Sequence, residues 1–172
     1  MDLRIRKAEV SDYKNLAVLK QQVWISTYAT EGLVEEFSDY VLTEYSQEKV
    51  RESILDEQKV ILLATLDGKL VGCSEIAITP EQPMSEINPC HEITTLYVLE
   101  RFQGRGVGKK LLLDSFKQIK ALGGEKTWLT VYHENENAIA FYRRLKFDHI
   151  GDTNFQLGDG LYRNLIMLKR IE

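Results

Sequence analysis

A chain of 172 residues with 44% hydrophobic and 28% charged residues has the apolar content to fold, and one domain of this size buries roughly 70% of its unfolded-state surface. Its formal charge of -4 argues against the clustered basic footprint that nucleic-acid phosphates require, and 2 cysteines with 3 scattered histidines make neither a disulfide framework nor a zinc-ligand spacing. Met1 to Arg6 carries no apolar signal core, and the longest aliphatic run, Val60 to Ala64, is far short of the ~20 residues that span a bilayer. The expectation is one domain over residues 1–172, in a reducing cytoplasm, with no metal, nucleic-acid or membrane partner, as a monomer or homodimer.

Alternation of apolar and charged residues from Leu3 to Ala8 predicts a half-buried first strand. Ser11-Asp12 offers N-caps for a helix whose stripe is Tyr13, Leu16, Ala17, Val23 and Trp24, ending near Ile25. Residues 28 to 43 read as a loop with a helical turn, and Ser46 as the cap of a second helix carrying Val50 and Ile54. Val60 to Thr65 and Leu70 to Ile78 flank Asp67-Gly68, which tolerates the positive φ of a tight turn and predicts a hairpin. Pro80, Pro83 and Pro89 punctuate a loop before a strand from His91 to Val98.

Beyond the glycines at 104, 106 and 108, a helix from Arg105 to Leu122 carries Val107, Leu111, Leu112, Ser115, Ile119 and Leu122, with Gly123-Gly124 as its left-handed cap. Thr127 to Tyr132 reads as a strand. Asn135 or Asn137 caps a short helix with Ala138, Phe141, Tyr142 and Leu145 on one face, and strands Phe147 to Gly151 and Leu161 to Leu168 finish the chain. This order predicts an α/β (α+β) fold, a mixed central sheet with helices on both faces.

Three alternating glycines between a strand and a helix suit an anion, because a helix start presents unpaired N–H groups and glycine lets oxygens approach the backbone. Arg101, Arg105, Lys109 and Lys110 add positive charge. A Walker loop would need glycine at 103 and a hydroxyl residue at 110, where Gln103 and Lys110 stand. The dinucleotide fingerprint would need its third glycine where Lys109 stands. A ligand-free glycine turn is the remaining alternative on spacing alone.

The segment Gln103-x-x-Gly106-x-Gly108 after Leu96-Tyr97-Val98 resembles the acetyl-CoA signature of the GNAT N-acetyltransferase superfamily. Asn135-Glu136-Asn137-Ala138-Ile139-Ala140-Phe141-Tyr142 and the residues to Phe147 resemble that superfamily's second motif. The C-terminal half is similar to PaiA-type polyamine acetyltransferases through Trp128-Leu129-x-Val131 and Asn164-Leu165-Ile166-Met167; Lys146 departs by standing where the family usually places glycine.

The resemblance implies a mixed, mostly antiparallel central sheet flanked by helices on both faces, and acetyl transfer from acetyl-CoA to a primary amine in a ternary complex, with a spermidine-like polyamine as the leading acceptor. A protein or peptide amine, an aminoglycoside, or a CoA-binding module without catalysis are the alternatives. It implies cofactor contacts at Leu96, Tyr97, Val98, Gln103, Gly104, Arg105, Gly106, Val107, Gly108, Lys109 and Asn135, with Tyr142 as general acid to the CoA thiolate and Glu92 as base for the amine. The backbone of Leu96 to Val98 would pair with pantetheine as an added strand does, and a main-chain N–H there would polarise the thioester. Tyr28, Glu31, Glu35, Glu36 and Asp39 offer an aromatic and acidic surface for a cationic acceptor. For Cys90, His91 and His133 a structural role is expected over acyl transfer or proton shuttling.

Overall fold

Seven strands form one sheet in the order β1-β2-β3-β4-β5-β7-β6 in the computed structural model, which describes residues 2–84, 87 and 90–172. They are β1 (Leu3–Lys7), β2 (Lys59–Leu66), β3 (Lys69–Ala77), β4 (His91–Val98), β5 (Lys126–Tyr132), β6 (Asp148–Leu157) and β7 (Gly160–Arg170). The helices are α1 (Tyr13–Tyr28), α2 (Glu35–Glu44), α3 (Gln47–Leu55), α4 (Val107–Ala121) and α5 (Glu136–Arg144). Every strand pair is antiparallel except β4 with β5. The expected mixed, mostly antiparallel sheet is therefore the one observed; the break expected at Pro89 lies outside the described residues.

Strand alternation sends two sets of side chains to opposite faces. Ile76, Ile93, Leu129 and Leu165 pack with Leu112, Phe116 and Ile119 of α4 and with Ile139 and Tyr142 of α5. On the other face Ile61, Leu63 and Cys73 meet Leu16, Leu19 and Val23 of α1 and Val50 of α3. The stripe read from α4 is buried from Val107 to Ile119, but Leu122 is 43% exposed because the helix ends before it. Gly123 closes that helix at φ +81, and Gly124 lets His91 pack where a Cβ would lie 2.5 Å from the ring.

Local chemistry explains where the sequence expectations hold and where they shift. Asp67 and Gly68 both take positive φ, as the β2–β3 turn requires, and the Ser46 hydroxyl accepts from Lys49 N at 3.3 Å to start α3. Asp12, expected as an N-cap, instead holds the Arg6 guanidinium by two bonds of 2.7 Å and accepts from Glu9 N, so its side chain does not cap α1. That helix also runs on to Tyr28, beyond the expected end near Ile25. The largest correction is α2, inside the segment expected to be mostly loop. Phe37 and Val41, one helical turn apart, are buried against Trp24, while Glu35 and Glu36 sit in the first turn, where negative charge is favoured.

Lys146 adopts φ +61 at the end of α5, and the turn closes through Lys146 N to Arg143 O and Phe147 N to Tyr142 O. It thus takes the left-handed conformation that a glycine would take, at a cost of about 1–2 kcal/mol, and delivers Phe147 to the core beside Tyr142.

Between α1 and β3 lies a buried ion pair, Lys20 Nζ to Glu75 Oε2 at 2.5 Å, with both side chains 7% exposed. Lys59 reaches the other oxygen at 3.2 Å, and Ser53 donates to it. Burial opposes ionisation of Glu75, yet the two lysines outweigh it and hold the carboxyl below its ordinary range. Lys20→Met should cost about 3 kcal/mol in urea unfolding, because Lys59 alone cannot neutralise a desolvated carboxylate. The same change at Lys49, whose pair with Glu44 is exposed, should cost under ~1 kcal/mol; equal losses would remove the case for a buried pair.

Candidate active site

β4 and β5 pair over only two rows, His91 with Thr127 and Glu92 with Trp128, and then part. The cause lies on the other side of β4. Between Glu75 and Ile76 the β3–β4 register slips, leaving Thr94 as an extra residue, and such a bulge bends its strand. Beyond the bulge, the edge of β4 that faces β5 has no partner strand among the described residues, and its free peptide groups border a cavity of about 620 Å³. The cavity walls are Ile93 to Val98 of β4 apart from Thr95, Leu129 to Tyr132 of β5, the turn after β4, one face of α5, the end of α1 and Asn164 of β7.

That turn is built for close approach. A 3-10 turn over Glu100–Phe102 leads into Gly104 at φ +71 and Gly106 at φ +82, so α4 starts from a left-handed residue. An added Cβ at either glycine would meet nothing within 4 Å, which leaves the space above these peptides open to a ligand. Gln103 Nε2 donates to Val98 O at 3.1 Å, fastening the turn to the end of β4.

Tyr142 projects from α5 into the cavity while remaining only 7% exposed, wedged between Phe141 and Phe147. Burial raises its phenol pKa, so it stays protonated at neutral pH and is a donor. Asn135 also borders the cavity, and its Oδ1 caps α5 by accepting from Ala138 N at 3.1 Å. Across the sheet, Glu92 lies at the closed end of the parting strands. Its carboxyl is pushed up to about 7 by burial and by the neighbouring Glu75 charge.

On that same face the wall is aromatic. Tyr28 stacks on Trp24 at 4.7 Å and lies 5.1 Å from the Tyr132 ring, and Trp24 also packs on Tyr40 at 4.9 Å. Tyr45 and Tyr97 bring their hydroxyls within 3.3 Å of one another.

The acetyltransferase (GNAT) family model matches residues 26–147. The chain belongs to that family. It is 27% identical over 158 residues to a spermidine N(1)-acetyltransferase of Thermoplasma acidophilum, covering 90% of this chain and 92% of that one. A spermine/spermidine N(1)-acetyltransferase of Bacillus subtilis is 29% identical over 90 residues, 52% of this chain and 59% of that protein. Among solved structures, the PaiA N-acetyltransferase from Thermoplasma acidophilum in complex with coenzyme A superposes with a TM-score of 0.81 at 27% identity, covering 99% of each chain.

Most cofactor positions expected for this acetyltransferase converge: Leu96, Tyr97, Val98, Gln103, Gly104, Gly106, Gly108, Lys109, Asn135 and Tyr142 line one cavity, joined by Tyr28. Arg105 and Val107 do not. Arg105 is exposed with its guanidinium over the Phe102 ring, and Val107 turns into the core. Lys110, expected to add charge beside the glycines, donates instead to Leu3 O at 2.6 Å. Glu31, Glu35, Glu36 and Asp39 do not line the cavity; in α2 the apolar side turns inward and Glu35 and Glu36 are left exposed. Glu92 is near the cavity's closed end without lining it.

Cys90 is buried and its thiol is raised to about 11, which keeps it un-ionised, and His91 Nδ1 is engaged with Ile78 O at 2.6 Å. Thr94 and Tyr132 join the lining without any local signal in the sequence, whereas Asn137, Ala138, Phe141 and Arg144 of α5 stand in the second motif and Asn164 in the Asn164-Leu165-Ile166-Met167 run, none of them expected there as a site residue. Helical spacing brings the α5 residues to the same end of the cavity as Tyr142.

The raised carboxyl of Glu92 has a stability signature. An unfolded glutamate releases its proton near ~4.3, so the folded state holds more protons between there and about 7. The contribution of Glu92 to stability is intact below about pH 4, declines as pH rises between the two values, and is lost above about pH 7. Glu92→Gln should therefore match the parent at pH 4 and exceed it in urea midpoint at pH 8. A variant less stable at pH 8 would contradict the shift.

Proposed function

We propose that the chain transfers an acetyl group from acetyl-CoA to a primary amine of an aliphatic polyamine, by direct attack in a ternary complex. The observation that carries this reading is the unpartnered edge of β4, which opens into a cavity bordered by the glycine turn and Tyr142. A backbone edge inside a cavity is complementary to a ligand that alternates amide groups with alkyl spacers, as pantetheine does.

The N–H groups of Gly104 to Gly108 and the Lys109 ammonium receive the pyrophosphate at the start of α4. Leu96 to Val98 offer main-chain pairing to the pantetheine arm, and a β4 N–H polarises the thioester carbonyl. Glu92, set back from the cavity, takes the ammonium proton through water; its pKa of about 7 keeps enough carboxylate at neutral pH while making it a better base than an exposed glutamate. The free amine then attacks, a C–N bond forms as the C–S bond breaks, and the Tyr142 phenol protonates the departing thiolate. The surplus proton left on the new amide nitrogen restores the phenol.

Support for a polyamine comes from the aromatic wall on the α1 face, whose ring faces attract ammonium groups, and from the two relatives named for spermidine and spermine. Thiol release from acetyl-CoA should be stimulated by spermidine and spermine over amino acids, aminoglycosides and peptides. CoA binding with no amine-stimulated release would instead identify a binding module. Tyr142→Phe should lower kcat by roughly 100-fold or more with CoA affinity retained, and unchanged turnover would remove Tyr142 as the acid. As the base must be ionised, kcat/KM should rise with pH through about 7 in the parent and lose that limb in Glu92→Gln.

A further inference from the structure

Asn164 stands on β7 opposite Tyr132 of β5, lines the cavity, and is 7% exposed. Its Oδ1 is buried without any hydrogen-bond partner, one of three such side-chain atoms among the described residues. An orphaned buried amide oxygen costs about 1–3 kcal/mol, so it needs either a replacement or a guest.

The surroundings indicate the guest's chemistry. Burial raises the Tyr28 phenol, and the neighbouring Asn164 carboxamide opposes that rise, which places the amide beside this hydroxyl. The Tyr28 and Tyr132 rings are 5.1 Å apart, and no carboxylate is among the described residues lining the cavity. A neutral carbonyl oxygen beside electron-rich rings can hold an ammonium through one N–H bond and the ring quadrupoles, without requiring a buried counter-ion.

The position separates this role from those already assigned. Asn135 and the free edge of β4 serve the cofactor side, whereas Asn164 shares the opposite sheet face with Tyr132. Its row lies four residues along β5 from the row of Trp128 and Glu92, roughly 13 Å at the rise of a strand, too far for the proton step.

We infer that Asn164 Oδ1 accepts an N–H from a second, non-reacting nitrogen of the acceptor, so that it selects polyamines over monoamines of similar length. This rests on the acetyl transfer proposed above.

Thiol-release kinetics with spermidine and with hexylamine, for the parent, Asn164→Leu and Asn164→Asp, test it. In Asn164→Leu the ratio of the spermidine KM to the hexylamine KM should rise roughly ten-fold or more, while Asn164→Asp should restore or lower it. The unfolding midpoint of Asn164→Leu should equal or exceed that of the parent, since an unsatisfied polar atom has been removed. Parallel losses with both amines, or a lower midpoint with an unchanged KM ratio, would make Asn164 a structural residue and overturn the inference. If Asn164→Leu does not fold, Asn164→Ala with calorimetric titration of spermidine into the CoA-loaded enzyme gives the same comparison: weakened binding supports the inference and equal binding ends it. A parent that releases no thiol with any amine defeats the acetyl-transfer reading and this inference together; an active parent with an unselective Asn164→Leu defeats only the inference.

Discussion

The parting of β4 from β5 after two paired rows is the constraint on which the site depends. A strand in the middle of a sheet normally satisfies both of its edges. Here β4 satisfies the edge toward β3, while a one-residue bulge turns the other away from β5, so a row of peptide groups is held apart from its natural partner. Such groups are tolerated where they border a solvent-filled space or a ligand, and this is why the cavity and the free edge occur together. The two strands stay paired only at His91 and Glu92, which puts the proposed base at the vertex of the opening.

Because the gap cuts through the sheet, its two mouths inherit different chemistry from the two faces. The α4 and α5 face offers glycine peptides, Lys109 and a buried phenol. The α1 face offers aromatic rings, Asn164 and a half-buried carboxyl. Charge on that second face is kept in a network where Lys20 and Lys59 satisfy Glu75, and its residual field together with burial keeps the Glu92 proton on. A single dense electrostatic cluster thus serves packing between α1 and β3 and also tunes the neighbouring row of β4.

Legibility follows the range of the interactions involved. The strand and helix pattern is local, and the hairpin at Asp67-Gly68, the Ser46 cap and β4 stand where periodicity puts them. The glycine turn is legible because backbone conformation there demands glycine, and Gly104 and Gly106 do take positive φ. The segment around α2 is not, because its helix is held by contacts from Phe37 and Val41 to Trp24, a residue of another helix, while its acidic residues are exposed and lie outside the cavity lining. Asp12 misleads for a related reason: a good capping residue has a better partner in Arg6, which the bend from β1 into α1 brings within reach.

The same distinction divides the two halves of the candidate site. Cofactor positions lie close together in sequence because one strand, one turn and one helix start supply most of them, and their spacing is fixed by backbone geometry. The proposed acceptor wall draws Tyr28 from α1, Tyr132 from β5 and Asn164 from β7, residues brought together by the β5–β7 pairing and by α1 crossing the sheet. No local rule ties these positions to each other, so neither spacing nor composition marks them as a group in the sequence, whereas the cofactor side announces itself through one short run of backbone-determined residues.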